Sequence, residues 1–296
     1  MKLARRAGGC LLAVSLILGT LADKPREHSE LVLGGYQVLV GDFHIHSFPL
    51  SWALLPPLDT LIEARRQGLD VIALTPHNHT WVAKVGQWFS AFTDGPIVLV
   101  GEEIHSIHYH TLAVGITDTI DWRQPASRAI DEIHRQGGVA IAAHPVGRFV
   151  SGYDADALRK LDAAEVVHPI VLTDQTYAAQ MRQFLESTRL TAIGDSDYHL
   201  GPLAPNLGAI GVCQTYVFAR ERTAQGVLDA LREGHTVVYD RERAYGDPAL
   251  VKLAAEDGRL PKAALTQRPT GSLSLLSGIA GLIGLILCAQ VRSRGL

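Results

Sequence analysis

Between Tyr36 and Arg232 the sequence alternates short apolar, β-branched runs with amphipathic stretches, and this alternation limits the fold more than any other feature. Val38 to Phe43, Val71 to Thr75, Ile97 to Val100, Leu112 to Val114, Val139 to Ala142, Glu165 to Val167, Thr191 to Ile193 and Ala209 to Phe218 read as strands. Leu58 to Gln67, Trp81 to Phe92, Ala126 to Gln136, Ala155 to Leu161, Tyr177 to Glu186 and Thr223 to Arg232 read as helices, with Gly68 and Gly137-Gly138 as stops. Repeated strand–helix units argue for a largely parallel sheet covered by helices, an α/β fold. About seven units within some 210 residues fit one distorted (βα)7 TIM-like barrel better than two separate domains. An open doubly wound sheet is the alternative. No strand is followed by GxGxxG or a Walker loop, so nothing marks a nucleotide-binding crevice.

Both ends of the chain are apolar. Lys2, Arg5 and Arg6 precede an apolar run from Ala7 to Ala22, the pattern of a signal peptide or an N-terminal membrane anchor over residues 1–23. Leu273 to Ala289 is apolar and is followed by Arg292 and Arg294, which predicts a C-terminal transmembrane helix over 272–290. Basic residues at both ends would put both termini in the cytoplasm and the central domain, residues 36–245, outside it. Residues 246–271, rich in Pro, Ala and charge, read as a linker to the membrane. Gly278, Gly281 and Gly284 are spaced as a helix-packing face. The net charge of −3 gives no basic stripe, so no nucleic-acid-binding surface is expected. Of the three cysteines, Cys10 and Cys288 lie in the terminal segments and Cys213 stands alone between them. A disulfide within the central domain and a thiolate zinc site are therefore excluded.

The thirteen histidines gather where apolar runs give way to loops, the edge that is catalytic in a barrel. His44 and His46 are two apart on a strand and project together. Thr75-Pro76-His77-Asn78-His79 closes the next strand. Glu102-Glu103-Ile104-His105 follows the third, with His108 and His110 beyond. His144 caps the strand ending at Ala142, and Asp195-Ser196-Asp197-Tyr198-His199 follows Ile193. A carboxylate such as Glu103 can bridge two cations through its two oxygens, and mixed imidazole and carboxylate donors suit zinc, manganese or iron rather than calcium. Each motif alone could be a satisfied polar strand end. Together they form a convergent group that is hard to satisfy without a cation. Asp42 reads as a partner orienting His44 or as a strand-end acid. Arg148 offers a planar fork for a phosphate. His105 and His108 read as loop histidines, and His134, His168 and His235 as surface or packing residues.

In this order the motifs resemble the polymerase-and-histidinol-phosphatase (PHP) superfamily: HIH at 44–46, the segment ending at His77, GEEI around Glu103, HTLAVG from His110, AHP at His144 and SDYH at 196–199. The resemblance spans about residues 36 to 245. It implies a distorted seven-stranded barrel with two or three divalent ions at its C-terminal rim. By that resemblance His44, His46, Glu103 and Asp197 would hold a first ion. Glu103 would bridge to a second held by His110 and His144, and His77 and His199 would belong to a third. Two departures bear on the third ion. Pro76 stands where the family usually has Asp, and residues 47–58 hold neither Asp nor His after the first HxH. His79 and Asp59 are the replacements at hand.

The resemblance implies a metal-dependent phosphoesterase acting on a small phosphorylated substrate, with Glu103, Asp197 and Arg148 expected in the catalytic machinery. Attack would come from a water activated by the ions. No GxSxG elbow exists for acyl-enzyme chemistry. Competing readings are a PHP-like module that binds a metal or ligand without turnover, and a metal-dependent hydrolase of another bond.

Overall fold

The computed structural model describes residues 2–22, 30–93, 95–170, 174–199, 209–241, 243–260 and 272–290. In chain order the elements are α1 (Lys2–Ala22), β1 (Leu31–Leu33), β2 (Tyr36–Ile45), α2 (Pro57–Arg66), β3 (Val71–Leu74), α3 (Trp81–Ser90), β4 (Ile97–His105) and β5 (His110–Val114). They continue with α4 (Ala126–Arg135), β6 (Val139–Ala142), α5 (Ala155–Lys160), β7 (Ala163–Val167), α6 (Gln175–Thr188), β8 (Thr191–Gly194) and β9 (Thr215–Ala219). Last come α7 (Ala224–Arg232), β10 (Thr236–Asp240), β11 (Arg243–Gly246), α8 (Pro248–Asp257) and α9 (Ser272–Gln290).

One mixed sheet runs β11-β10-β9-β2-β3-β4-β5-β6-β7-β8, with β1 on the far flank of β2. The pairs β2–β3, β3–β4, β6–β7 and β7–β8 are parallel, while β4–β5, β5–β6, β2–β9, β9–β10 and β10–β11 are antiparallel. The sheet curls until β8 meets β9 and β10. There the join is made by threonine hydroxyls: Thr215 Oγ1 accepts from Gly194 N at 2.8 Å, and Thr236 Oγ1 donates to Ala192 O at 2.8 Å. The result is a nearly closed barrel rather than the expected (βα)7 repeat. The β4–β5 hairpin replaces one helical crossover, and β9 returns antiparallel to β2. The reversal at β5 has a functional consequence, since it brings the N-terminal end of that strand to the rim where the parallel strands end.

The core follows the pleat. Leu39, Phe43, Val71, Leu99, Leu112, Ile141, Ile193 and Val217 are among the buried residues of one central cluster. The helices pack outside by apolar stripes at helical spacing. On α4 these are Ala126, Ala129, Ile130 and Ile133, all buried. Caps fix the helix starts: Asp154, Asp174, Thr223 and Asp247 each accept from backbone N–H groups of the first turn.

Three expectations change outside the barrel. Helices form at both termini, but among the described residues no helix is long and apolar enough to cross a membrane. The expected N-terminal anchor, the C-terminal transmembrane helix and the extracytoplasmic placement inferred from them therefore gain no support. Instead α1 and α9 pack on each other. Gly284 meets Gly8 O and Leu12, and Gly281 meets Ser15. Ser277 Oγ donates to Ser15 O at 2.7 Å and also bonds Asp59 of α2. The glycine spacing thus serves helix packing within the chain. The expected linker also divides. Residues 248–257 are α8, whose Leu250 and Ala254 join a buried cluster with Val38, Phe218 and Val237. Residues 23–29, 261–271 and 291–296, which hold the rest of the expected tether and the closing arginines, lie outside the described residues.

Candidate metal centre

Strand geometry brings the chemistry to one rim. His44 and His46 leave the end of β2 on the same side, with Ile45 between them buried in the apolar layer opposite. The segment after β8 is zipped onto this end. His46 N donates to Tyr198 O at 3.0 Å and Tyr198 N to His44 O at 3.3 Å, which delivers Asp197 and His199 beside the two histidines. Glu103 lies near the end of β4, held against the loop after β3 by Asn78 N to Glu103 O (3.0 Å) and Glu103 N to Pro76 O (3.2 Å). His110 opens β5 opposite His105, and His144 follows β6. Asp197 (φ 45°) and His144 (φ 26°) both have left-handed backbones, which branched and bulky residues rarely adopt, so local strain is concentrated in the centre.

Four donor atoms converge. His44 Nε2 lies 3.1 Å from His46 Nε2, 3.4 Å from Glu103 Oε2 and 3.2 Å from Asp197 Oδ1. His46 Nε2 lies 3.1 Å from Asp197 Oδ1 and 3.4 Å from Glu103 Oε2. Donors about 2.1 Å from a shared cation stand roughly 3.0 Å apart at right angles and roughly 3.4 Å apart in a tetrahedron. The five observed edges fall in that interval. The other oxygen of Glu103 turns to a second group: Oε1 is 2.7 Å from His110 Nδ1 and 3.3 Å from His144 Nε2. Glu103 therefore offers one oxygen to each group, as a bridging ligand must. His46, His77 and His199 form a third group, and His77 Nε2 lies 3.0 Å from Glu103 Oε2. Every histidine and acid expected to hold metal is thus at this rim. His79 is in none of the candidate groups, and Asp59 faces Ser277 instead.

The charges suit cations. Burial opposes ionisation of Glu103 and Asp197, but His44 and the hydrogen bonds from neighbouring imidazoles hold both carboxyls well below the usual carboxylate range. Burial pulls His44 down, yet Asp197, Glu165 and Glu103 outweigh it and hold that imidazole well above the usual histidine range. Burial holds His46 well below it. The far ring nitrogens of two of these histidines, His110 Nε2 and His46 Nδ1, are buried without a hydrogen-bond partner among the described residues. The donor set and its spacing fit divalent ions.

Two buried residues here escaped the sequence reading, Glu165 of β7 and His168 just after it. His44 Nδ1 and Glu165 Oε1 are 2.7 Å apart, and His168 Nε2 is 3.3 Å from Asp197 Oδ2. The signal was present. Glu165 is an acid inside the apolar run Ala-Ala-Glu-Val-Val, and a fully buried carboxylate needs a partner. His168, read as a surface or packing residue, ends its strand much as His144 ends another. Conversely, Asp42 does not orient the His44 ring. It accepts from the backbone N–H groups of Ser196, Gly211 and His44, while Asp195 accepts from Phe43 N at 2.6 Å. The two acids staple β2 to the segment after β8. Burial pushes Asp42 up to about 6, and burial with the neighbouring Asp42 pushes Asp195 well above its ordinary value.

A cavity of about 460 Å³ opens over the cluster, walled by Phe149 and Ile170 among the ligand side chains. His105 lines it; burial holds this imidazole down, to about 4. A second cleft of about 360 Å³ adjoins through His105, His110 and Phe149 and is completed by Ile107, Trp122 and Arg148. Arg148 therefore stands one cleft away from the cluster. Its guanidinium lies 5.1 Å from the centre of the Phe149 ring and makes no ion pair among the described residues.

No protein-family model matches the chain. An uncharacterized protein of Methanocaldococcus jannaschii is 29% identical over 110 residues, 36% of this chain; the match spans only 60% of that relative's length. Among solved structures, a two-domain protein of Bacteroides vulgatus containing a predicted PHP-like metal-dependent phosphoesterase superposes with a TM-score of 0.63, covering 79% of this chain and 74% of that one. At 24% identity the likeness establishes the fold alone: this chain shares its barrel fold with the Bacteroides vulgatus protein.

Proposed function

We propose that this chain is a hydrolase that uses two or three divalent ions to cleave a phosphate ester of a small molecule. The observation that carries this reading is the division of Glu103 between two donor groups, with five donor–donor edges of 3.1–3.4 Å in the first. Ions bound there would lower the pKa of water and neutralise charge on the phosphoryl oxygens. The protein's own groups have separate tasks. His44, His46, Glu103 and Asp197 hold the first ion, and Glu103, His110 and His144 the second. His77 and His199, beside His46, offer two imidazoles to a third position, since His46 serves the first ion and no acid follows the first HxH.

The residues lining the main cavity are histidines, Glu103, Asp197, Phe149 and Ile170, with no hydroxyl or thiol among them. Water activated by the ions would be the nucleophile. Phosphate over an amide or another ester is favoured by the PHP-like fold and by Arg148, whose guanidinium in the adjoining cleft, without an ion pair among the described residues, suits an anionic oxygen on the substrate. Ile107, Trp122 and Phe149 would cover an apolar part of the leaving group.

The test is metal analysis of the purified chain followed by a panel of phosphomonoesters and phosphodiesters with manganese, zinc or iron. Turnover is expected. Glu103→Gln and Asp197→Asn are expected to lower it by more than about 100-fold, beyond the usual cost of losing an outer-shell partner. Bound metal without turnover of any phosphoester would leave a binding module instead.

A further inference from the structure

We propose that Glu165 and His168 are positioning residues that fix the two ligands of the first ion they touch, His44 and Asp197, each in one orientation. This rests on the metal-dependent reading above. Glu165 is wholly buried and has both oxygens committed: Oε1 faces His44 Nδ1 at 2.7 Å and Oε2 accepts from His144 N. A carboxylate at Nδ1 requires the proton there, which leaves Nε2 of His44 for the cation. The same carboxylate holds the strained backbone of His144, a ligand of the second group. Glu165 thus ties the two groups together from behind, as Glu103 joins them from the front.

His168 works by the same logic. Its Nδ1 accepts from Ile170 N at 3.1 Å, so its proton resides on Nε2. That N–H donates to Asp197 Oδ2 at 3.3 Å and leaves Oδ1 facing His44 and His46. Asp197 is thereby held as a one-oxygen ligand.

His44, Glu165 and His168 also satisfy the spacing of a metal group in their own right. That alternative competes with the first group for the His44 ring. A cation there would take His44 through Nδ1 and displace the proton that directs Nε2 to the first group. It would find three donors, where the first group offers four.

The substitution Glu165→Gln separates positioning from packing. Glutamine fills the same space but presents one acceptor to two donors. One of them, His44 Nδ1–H or His144 N–H, must then face an NH2 group, and relief comes by moving the His44 proton to Nε2. The measurement is the affinity of the full chain for Zn²⁺ and for Mn²⁺, by competition with a chromogenic chelator, with circular dichroism and melting temperature recorded alongside. Glu165→Gln is expected to weaken the tightest ion about 10- to 100-fold with the fold retained. His168→Leu is expected to weaken it by about tenfold, and His168→Gln, which keeps a donor for Asp197 Oδ2, to stay within about threefold of the parent. If a folded Glu165→Gln, or His168→Leu, binds both ions as tightly as the parent, the proposal is wrong. A parent chain that binds neither ion overturns this proposal and the metal-dependent reading together.

Discussion

Glu102 and Glu103 are adjacent, equally buried in name, and should respond oppositely to the same change. Alternation along β4 turns Glu103 toward the metal centre and Glu102 to the other face, where Oε1 accepts from Ile120 N at 2.6 Å. Burial pushes the Glu102 carboxyl from its ordinary 4.5 up to about 7; hydrogen bonds from Ile120 N and Thr119 oppose the rise without cancelling it. At about 1.4 kcal/mol for each pH unit, the ionised form of Glu102 costs the folded state at most about 3 kcal/mol. The sign follows from the raised value. The folded chain binds this proton more tightly than the unfolded one, so the contribution of Glu102 to stability is fully present below pH 4.5, falls as pH rises toward 7 and levels off above it. Glu102→Gln stays neutral at every pH and keeps the bond to Ile120. It should match the parent near pH 4.5 and exceed it by about 1–3 kcal/mol at pH 8.5, a rise of several degrees in melting temperature. Melts of both proteins across that range, with chelator present to remove metal linkage, provide the assay. A difference that does not grow with pH, or a loss of metal affinity in Glu102→Gln, would refute the assignment of the two glutamates to opposite faces.

Ion affinity should itself depend on pH. His44 is held well above the usual histidine range in the metal-free protein, so an entering cation must displace its proton. Affinity for Zn²⁺ is expected to climb about tenfold per pH unit below that raised value and to flatten above it, read by competition titration; a flat profile from pH 6 upward contradicts the His44 assignment. At the terminal helices, a Cβ on Gly284 would come within 2.9 Å of Gly8 O and 3.0 Å of Leu12 Cγ. Gly284→Val is therefore expected to destabilise by about 1–3 kcal/mol while leaving metal affinity unchanged, measured by melting and by the same titration.

The ligands were legible because strand ends and two-residue spacing are local properties. His44 with His46 and Asp197 with His199 can be paired from sequence without knowing where the rest of the chain goes. What the sequence did not display is the reversal at β5. His110 sits before an apolar run rather than after one, and only the antiparallel pairing of β4 with β5 explains why it reaches the same rim. Glu165 was passed over because it lies within its strand instead of at the end. Its meaning depends on His44, 121 residues away in the chain. Arg148 follows the AHP motif directly, yet the short 3-10 turn at Gly147–Val150 carries it into the neighbouring cleft. The helix at 248–257 was hidden by a composition of Pro, Ala and charge that suits a tether as well as a capped surface helix.

The join between β8 and its neighbours is a mechanical fact as well as a topological one. Two threonine hydroxyls hold a seam that elsewhere in the sheet is a ladder of backbone hydrogen bonds. His44 lies on β2 and His46 just past its end, fourth in the strand order, and Asp197 follows β8, which closes that order. A cation gripped by all three is a cross-tie over that gap. Loading the centre would then do for this barrel what a clasp does for a bracelet, adding a tie across the seam.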